Sequence, residues 1–218
     1  MTGLSSSPRL VKGGLVLVDP VSGAVRRVVS LQYNPDSLSR SLQIQGTGGD
    51  GDRSEALRLK GPPVETIKLE AEIDATDQLE FPGSNRTTVE TGLHPQLAAL
   101  ETIVYPSSAS LIENDGLAAA GTIEIVPMQS LLTLFVWSAN RILPVRITEL
   151  SVTEESFDPA LNPIRAKVSL GMRVLSVDDL GFDHRGGSLF MAYLRAKERL
   201  ASRTSPGSLS NLGLGSLP

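Results

Sequence analysis

"IRAKVSLGMRVL", Ile164–Leu175, alternates without a break. Ile164, Ala166, Val168, Leu170, Met172 and Val174 fall on one face, and Arg165, Lys167, Ser169, Gly171 and Arg173 on the other. That is the period of a strand with one face in a core and one in water. At about 3.3 Å per residue it extends roughly 40 Å, well past the usual five or six residues of a strand. A strand this long predicts a mainly β protein and needs a partner of similar length. The partner lies just upstream. PVRITELSVTEES (Pro144–Ser156) starts with Val145 and Ile147 inward, then switches to Leu150 and Val152. A phase change in a β pattern predicts a bulge near Glu149. FDPALNP (Phe157–Pro163) is the corner between the two strands. The ends of such a pair need cover, and a neighbouring subunit is one source of it.

Other strands follow from the same reasoning. ETIKLEAEID (Glu65–Asp74) puts Ile67, Leu69, Ala71 and Ile73 on one side and Lys68, Glu70, Glu72 and Asp74 on the other. Its acidic face reads as a solvated one. LLTLFVW (Leu131–Trp137) is apolar on both faces and belongs at the centre of a sheet or at a subunit interface. TIEIV (Thr122–Val126) is a further strand, and Ser138–Arg141 a turn. LVLVD (Leu15–Asp19) and RRVVSLQY (Arg26–Tyr33) flank the turn DPVSGA. Asn34-Pro35 stops the second of these, because proline has no ladder donor and fixes its own φ. SRSLQIQ (Ser39–Gln45) alternates again, with Leu42 and Ile44 on one face. Ile67, Leu69, Ile73, Val168, Leu170 and Val174 are predicted core.

Two helices are predicted. LHPQLAALETIVYP (Leu93–Pro106) carries Leu93, Leu97, Leu100 and Val104 in one stripe, with Pro95 in its first turn. His94 precedes it. LFMAYLRAKERLA (Leu189–Ala201) has helical spacing and Ser188 as its cap. DDLGFDHRGG before it reads as a loop. Gly46–Pro63 is a long glycine-rich loop whose spacing matches neither an EF-hand nor a P-loop. From Ser202 onward the chain is low-complexity and predicted to be disordered unless bound. The expected division is a β domain over 1–187 with a long loop at 46–63, a linker helix over 188–201 and a flexible tail over 202–218.

Composition narrows the function. Of 218 residues 40% are hydrophobic but only 4% aromatic, so the core must be built from Val, Leu, Ile and Ala. The formal net charge of -4 gives no global basic stripe, which argues against nucleic acid as a partner. There is no cysteine, so no disulfide and no thiolate metal site. No signal-peptide pattern and no apolar run of about 18 residues is present, so neither secretion nor a membrane span is expected. The two histidines, His94 and His184, stand in unrelated segments. No G-x-S-x-G, H-E-x-x-H or Walker pattern occurs. The reading is a non-enzyme with no catalytic residue, cofactor or metal. A small soluble hydrolase using Asp183 or His184 is the alternative from another class, and a generic β ligand-binding domain a third.

LQYNPDSLSRSLQ (Leu31–Gln43) resembles the hallmark of the tube-type N-terminal domain of contractile injection systems, phage-tail-like particles that drive an inner tube through a contracting sheath. Three further blocks resemble that family in order: ETIKLEAEIDATDQLE, HPQLAALETIVYP and ESFDPALNPIRAKVSLGMRVL. The blocks run from Leu31 to Leu175, and the resemblance as a whole covers about Leu15 to Ala201. The resemblance implies an antiparallel β-barrel or sandwich with one internal helix and a C-terminal helix, assembled as a homo-hexameric ring. Relatives of this kind act as baseplate adaptors between spike and tube and initiate the tube. They commonly carry a LysM module after a linker helix; no LysM-like segment follows here. The implied partners are the spike protein, the inner tube protein and other baseplate proteins, and the implied location is a cytoplasmically assembled particle. An ordinary stacked inner-tube subunit is the alternative within the class. Asn34, Pro35, Arg40, Arg165, Lys167 and Arg173 are the interface candidates.

Overall fold

The computed structural model describes residues 11–46, 58–119, 130–204 and 207–217. Its strands are β1 (Gly14–Val18), β2 (Val25–Ser30), β3 (Leu38–Gln43), β4 (Val64–Asp74), β5 (Leu132–Ser138), β6 (Arg141–Phe157) and β7 (Pro163–Val174). Its helices are α1 (Thr76–Leu79), α2 (Arg86–Thr91), α3 (His94–Glu101), α4 (Ser108–Ala119), α5 (Val177–Leu180) and α6 (Arg185–Ala201), with a 3₁₀ turn over Leu209–Leu212. The fold is mainly β: one seven-stranded sheet in the order β2-β1-β5-β6-β7-β4-β3, with every neighbouring pair antiparallel.

The long hairpin β6–β7 is its spine. Val145 pairs with Val174 and Phe157 with Pro163, and the register shifts between Ile147 and Glu149. The bulge predicted from the change of phase is therefore present. Ala166, Val168, Leu170, Met172 and Val174 are all buried. So are Ile67, Leu69 and Ala71 on β4, whereas Ile73 is half-buried at the rim of the core. β5 is central and buried on both faces. Phe135 joins the main core, while Leu132 and Leu134 pack with Val18 on the opposite face, covered by Leu180 and Leu189 from α5 and α6.

The sheet is rolled. β2 and β4 stand first and sixth in the strand order, so in a flat sheet five spacings of about 4.8 Å would hold them roughly 24 Å apart. Instead the side-chain amide of Gln32, two residues beyond β2, is paired with the backbone of Asp74 at the end of β4. Gln32 Nε2 donates to the Asp74 carbonyl at 2.7 Å, and the Asp74 N–H donates to Gln32 Oε1 at 2.9 Å. The side chain acts as a rung of a β ladder and closes the roll where no strand pair does. α3 fills that opening: Leu93, Leu97 and Leu100 are buried in the main core, and Arg27 of β2 donates to the Ala99 carbonyl and the Thr102 hydroxyl.

Several segments differ from the sequence-based expectation. β2 ends at Ser30, and the chain bends through Gln32 and Tyr33 before the Asn-Pro corner. Leu42 and Ile44 share a face but lie at the open end of an edge strand, both exposed. α3 begins at His94 itself, and beyond the one internal helix expected α1, α2, α4 and α5 are also present. Ser188 does not cap the last helix. α6 starts at Arg185, and His184 is its N-cap, with Nδ1 accepting from the Gly186 N–H. Gly186 and Gly187 read as a loop, yet they lie in the first turn of α6, and position 187 must be glycine there because a Cβ would overlap the Gly181 carbonyl oxygen. Within the expected tail, Leu209–Leu212 form a 3₁₀ turn ended by Gly213 at φ 73°. The expected strand Thr122–Val126 lies outside the described residues.

Candidate functional site

Two polar clusters tie distant parts of the chain together. The first is centred on Asp74. Its backbone holds Gln32, and its carboxylate accepts from the Thr76 hydroxyl, the Thr76 N–H at 2.8 Å and Arg165, whose Nε lies at 2.9 Å and Nη2 at 2.8 Å. The Thr76 hydroxyl, with help from the Thr76 N–H and Arg165, holds the Asp74 carboxyl below the usual carboxylate range. Ala75 N–H donates to the Ile164 carbonyl and Leu93 N–H to the Pro163 carbonyl, so β4, α3 and the tip of the β6–β7 hairpin meet here. The tip is caged by Asp158. Its Oδ1 accepts from the N–H groups of Ala160 and Asn162, each at 2.8 Å, and its Oδ2 from Asn162 Nδ2 at 2.9 Å. The Asn162 bonds hold the Asp158 carboxyl below its ordinary value.

The second cluster surrounds Glu65. This residue has the same parity as Ile67 and Leu69 and therefore points inward, with its side chain only 4% exposed. Arg40 Nε donates to Oε1 at 2.8 Å and Lys197 Nζ to Oε2 at 3.0 Å. Tyr193 reaches Oε1 at 3.4 Å, and the Lys197 ammonium sits 4.2 Å from the Tyr193 ring centre. The cluster joins β3, β4 and α6. Arg40 faces inward from an edge strand opposite Ile67, an arrangement that discourages strand addition on that edge.

The interface candidates thus have definite positions. Asn34 clamps the N-terminal segment: its Oδ1 accepts from the Gly13 N–H and its Nδ2 donates to the Val11 carbonyl, both at 2.9 Å. Pro35 is half-buried beside it. Arg40 bonds Glu65. Arg165, Lys167 and Arg173 lie on the outer face of β7, between β4 and β6. Lys167 pairs with Glu155 at 3.1 Å, and Arg173 with Asp179 of α5 at 2.7 Å. Glu155 raises the Lys167 pKa, and Asp74 raises that of Arg165. The outer face of the central sheet is therefore a ladder of crossed charges. Glu70 and Glu72 face Ser169 and Lys167 in register, so the acidic face of β4 is matched by basic side chains as well as by water. Arg40 and Lys197 converge on one buried carboxylate, which the strand parity of Glu65 signals in the sequence.

A cleft of about 620 Å³ opens beside the Asp74 corner, walled by Val28, Leu31, Ala71, Ile73, Leu100 and Leu170. Among the described residues no group of histidines and acids is placed to hold a metal ion, and no helix is long and apolar enough to cross a membrane. His184 lines a second cleft of about 520 Å³ but uses Nδ1 as a helix cap, and Asp183 is exposed.

No protein-family model and no curated protein matches the chain. Among solved structures, a chain in the tail of an empty gene transfer agent particle, refined helically with C6 symmetry, is similar at 10% identity and a TM-score of 0.30, covering 75% of this chain and 90% of that one. A chain of a native gene transfer agent virion is similar at 9% identity and a TM-score of 0.26, covering 74% and 90%.

Proposed function

We propose that this chain is a structural component of a phage-tail-like contractile particle, a ring-forming adaptor that joins the spike to the inner tube and starts tube assembly. The observation that carries this reading is spatial. The four blocks that resemble the tube-type domain are spread from Leu31 to Leu175, yet they meet at one corner. Gln32 from the first block clasps Asp74 from the second. Asp74 holds Arg165 from the fourth, and Leu93, the residue just before the third, donates to Pro163 of the fourth. Residues shared with a family only by chance have no reason to converge in space. The function is mechanical in this reading. A rigid roll with a stiff central hairpin passes load along its strands, and the crossed charges on its outer face hold that hairpin in register.

The test is the composition of purified particles. Particles from the producing cell, carrying an epitope on this chain, should retain it through sedimentation, in a copy number corresponding to a single ring. Copy numbers of many rings would favour the stacked tube subunit instead. A chain found only as a free monomer beside its spike and tube proteins would overturn the assembly reading, and turnover of a hydrolysable substrate abolished by His184→Ala would favour the hydrolase.

A further inference from the structure

Arg146 and Arg173 stand directly opposite each other in the β6–β7 register. Cross-strand neighbours share a face, and like charges placed so destabilise the pair. Arg173 is compensated by Asp179, although its Nε is buried without a hydrogen-bond partner. Arg146 has no such relief: among the described residues it makes no ion pair. It lines instead the cleft of about 520 Å³ that His184 also lines. His184 Nδ1 accepts from the Gly186 N–H, so the ring proton sits on Nε2, which is a donor. Ser130 and Thr133 bring hydroxyls to the same lining, and no carboxylate belongs to it among the described residues. The acids nearby are engaged elsewhere. Asp19 accepts from Arg26 and from the N–H groups of Val21 and Ser22, and Asp179 from Arg173 and the Ser176 N–H. Asp183 is exposed. A second cation adjoins the cleft. Arg185 follows His184, and its guanidinium lies where a Cβ on Gly23 would go, on the turn that includes the lining residue Pro20. It too pairs with no acid among the described residues. In a chain of net charge -4, this cleft collects donors and positive charge.

We propose that this cleft binds a small organic acid, a single carboxylate on an aliphatic body, with Arg146 as its principal charge partner. The site is independent of the particle reading above. Its charge selects an anion, because every polar side chain in the lining can donate and none is an acid. Its shape selects the rest of the ligand. The walls are aliphatic, with Ile103, Val104, Leu131, Leu132 and Leu180 among them, and Val104 and Leu131 are left 45% and 37% exposed. A mostly apolar cleft of this size with a few polar groups is the usual form of a small-molecule site. A guanidinium fork matches the two oxygens of a carboxylate, and an imidazole N–H adds one further donor. The bound acid would also supply the negative charge that the Arg146–Arg173 pair lacks.

The test is a titration of the full-length protein with sodium decanoate, kept below micelle formation, followed by calorimetry and by NMR shifts. Decanoate should bind saturably, at least tenfold more tightly than decanol, with the largest shifts at Leu132, Arg146 and Leu180. Arg146→Gln should weaken decanoate at least tenfold and leave decanol unchanged. The same variant should keep or raise the melting temperature, because it relieves the repulsion with Arg173, whereas a purely structural Arg146 would lower it on removal. The proposal is overturned if decanoate does not saturate, if its shifts map to the cleft beside Asp74 instead, or if Arg146→Gln binds it like the wild type. Decanol binding as tightly as decanoate would mean an apolar groove without an acid site and would overturn it. Displacement of decanoate by an equal concentration of inorganic phosphate would mean an ion site without an aliphatic subsite, with the same consequence. None of these results bears on whether the chain is retained in particles, so the adaptor reading stands or falls separately.

Discussion

Removing the cations around Glu65 should destabilise the fold more than removing Glu65 with them. Glu65 is the buried member of the cluster, at 4% side-chain exposure, while Arg40 and Lys197 are 27% and 34% exposed. A cation that loses its partner can turn to water; the carboxylate cannot. Breaking a buried ion pair by removing one partner costs about 3–5 kcal/mol. Arg40→Ala leaves Lys197 and Tyr193 in place, so its cost should fall below that range, at about 2 kcal/mol. Arg40→Ala/Lys197→Ala leaves the carboxylate without a cation and should cost about 4 kcal/mol, including the lost ammonium–ring contact with Tyr193. At about 2–4 °C per kcal/mol for a chain of this size, the melting temperature should fall roughly 4–8 °C and 8–16 °C respectively. Adding Glu65→Leu to the double variant replaces a stranded charge by an apolar side chain beside Ile67 and should recover about 2 kcal/mol. Thermal unfolding followed by fluorescence of Trp137, the single tryptophan, stacked on Phe135 in the core, reads all three variants. Two results would refute the reasoning: a double variant within about 0.5 kcal/mol of wild type, the range of ordinary surface changes, or a triple variant less stable than the double.

Three other outcomes follow from the geometry. Gln32→Ala leaves the Asp74 N–H and carbonyl without their partners and should cost about 1–3 kcal/mol, with faster hydrogen exchange at the Asp74 amide; unchanged exchange would show that the clasp does not close the roll. Asp158 has a folded pKa below its unfolded value of about 4, so its contribution is present above that pH and is lost as pH falls through the folded pKa. Asp158→Asn should therefore be less stable than wild type at pH 7, and the gap should narrow in acid melts below about pH 4; a gap independent of pH would contradict the depressed pKa. Gly187→Ala places a Cβ on the Gly181 carbonyl oxygen and should cost about 2–3 kcal/mol by forcing α5 and α6 apart, visible as a lowered melting temperature and lost helix signal.

The long strands were legible because one face of each is buried. Strict alternation identified β4 and β7, and the change of phase in β6 located its bulge. α4 was not legible for the converse reason: none of its residues is buried, so no stripe marks it. The start of α6 was obscured by Gly186 and Gly187, which are helix breakers by propensity; Gly187 is required here by close approach to the Gly181 carbonyl, and Gly186 sits against the Leu180 side chain. The Asn-Pro corner was visible as a corner, but the work of Asn34 was not, since its partners Gly13 and Val11 stand some twenty residues upstream. The partner of Arg40 was not legible because the pairing with Glu65 depends on the register of β3 on β4. The parity of Glu65 with Ile67 was the available sign that this acid points inward. The closure of the roll by Gln32 had no signal in the local sequence at all.

The strand order also sets a timetable for synthesis. The first seventy-four residues contain two hairpins, β1–β2 and β3–β4, and among the described residues no strand pair joins one to the other, only the Gln32–Asp74 clasp. They become parts of one sheet through β5, β6 and β7, because β1 pairs with β5 and β4 with β7. At a ribosomal pace of about 5–20 residues per second, the hundred residues from Asp74 to Val174 take roughly 5–20 s to appear. For that interval the apolar row Ile67, Leu69 and Ala71 has β3 on one side and no partner on the other. The nascent chain thus has to be kept from pairing with other nascent chains until its last hairpin emerges, and polysomes, where many copies of that open edge are crowded together, are where protection by a chaperone would matter most.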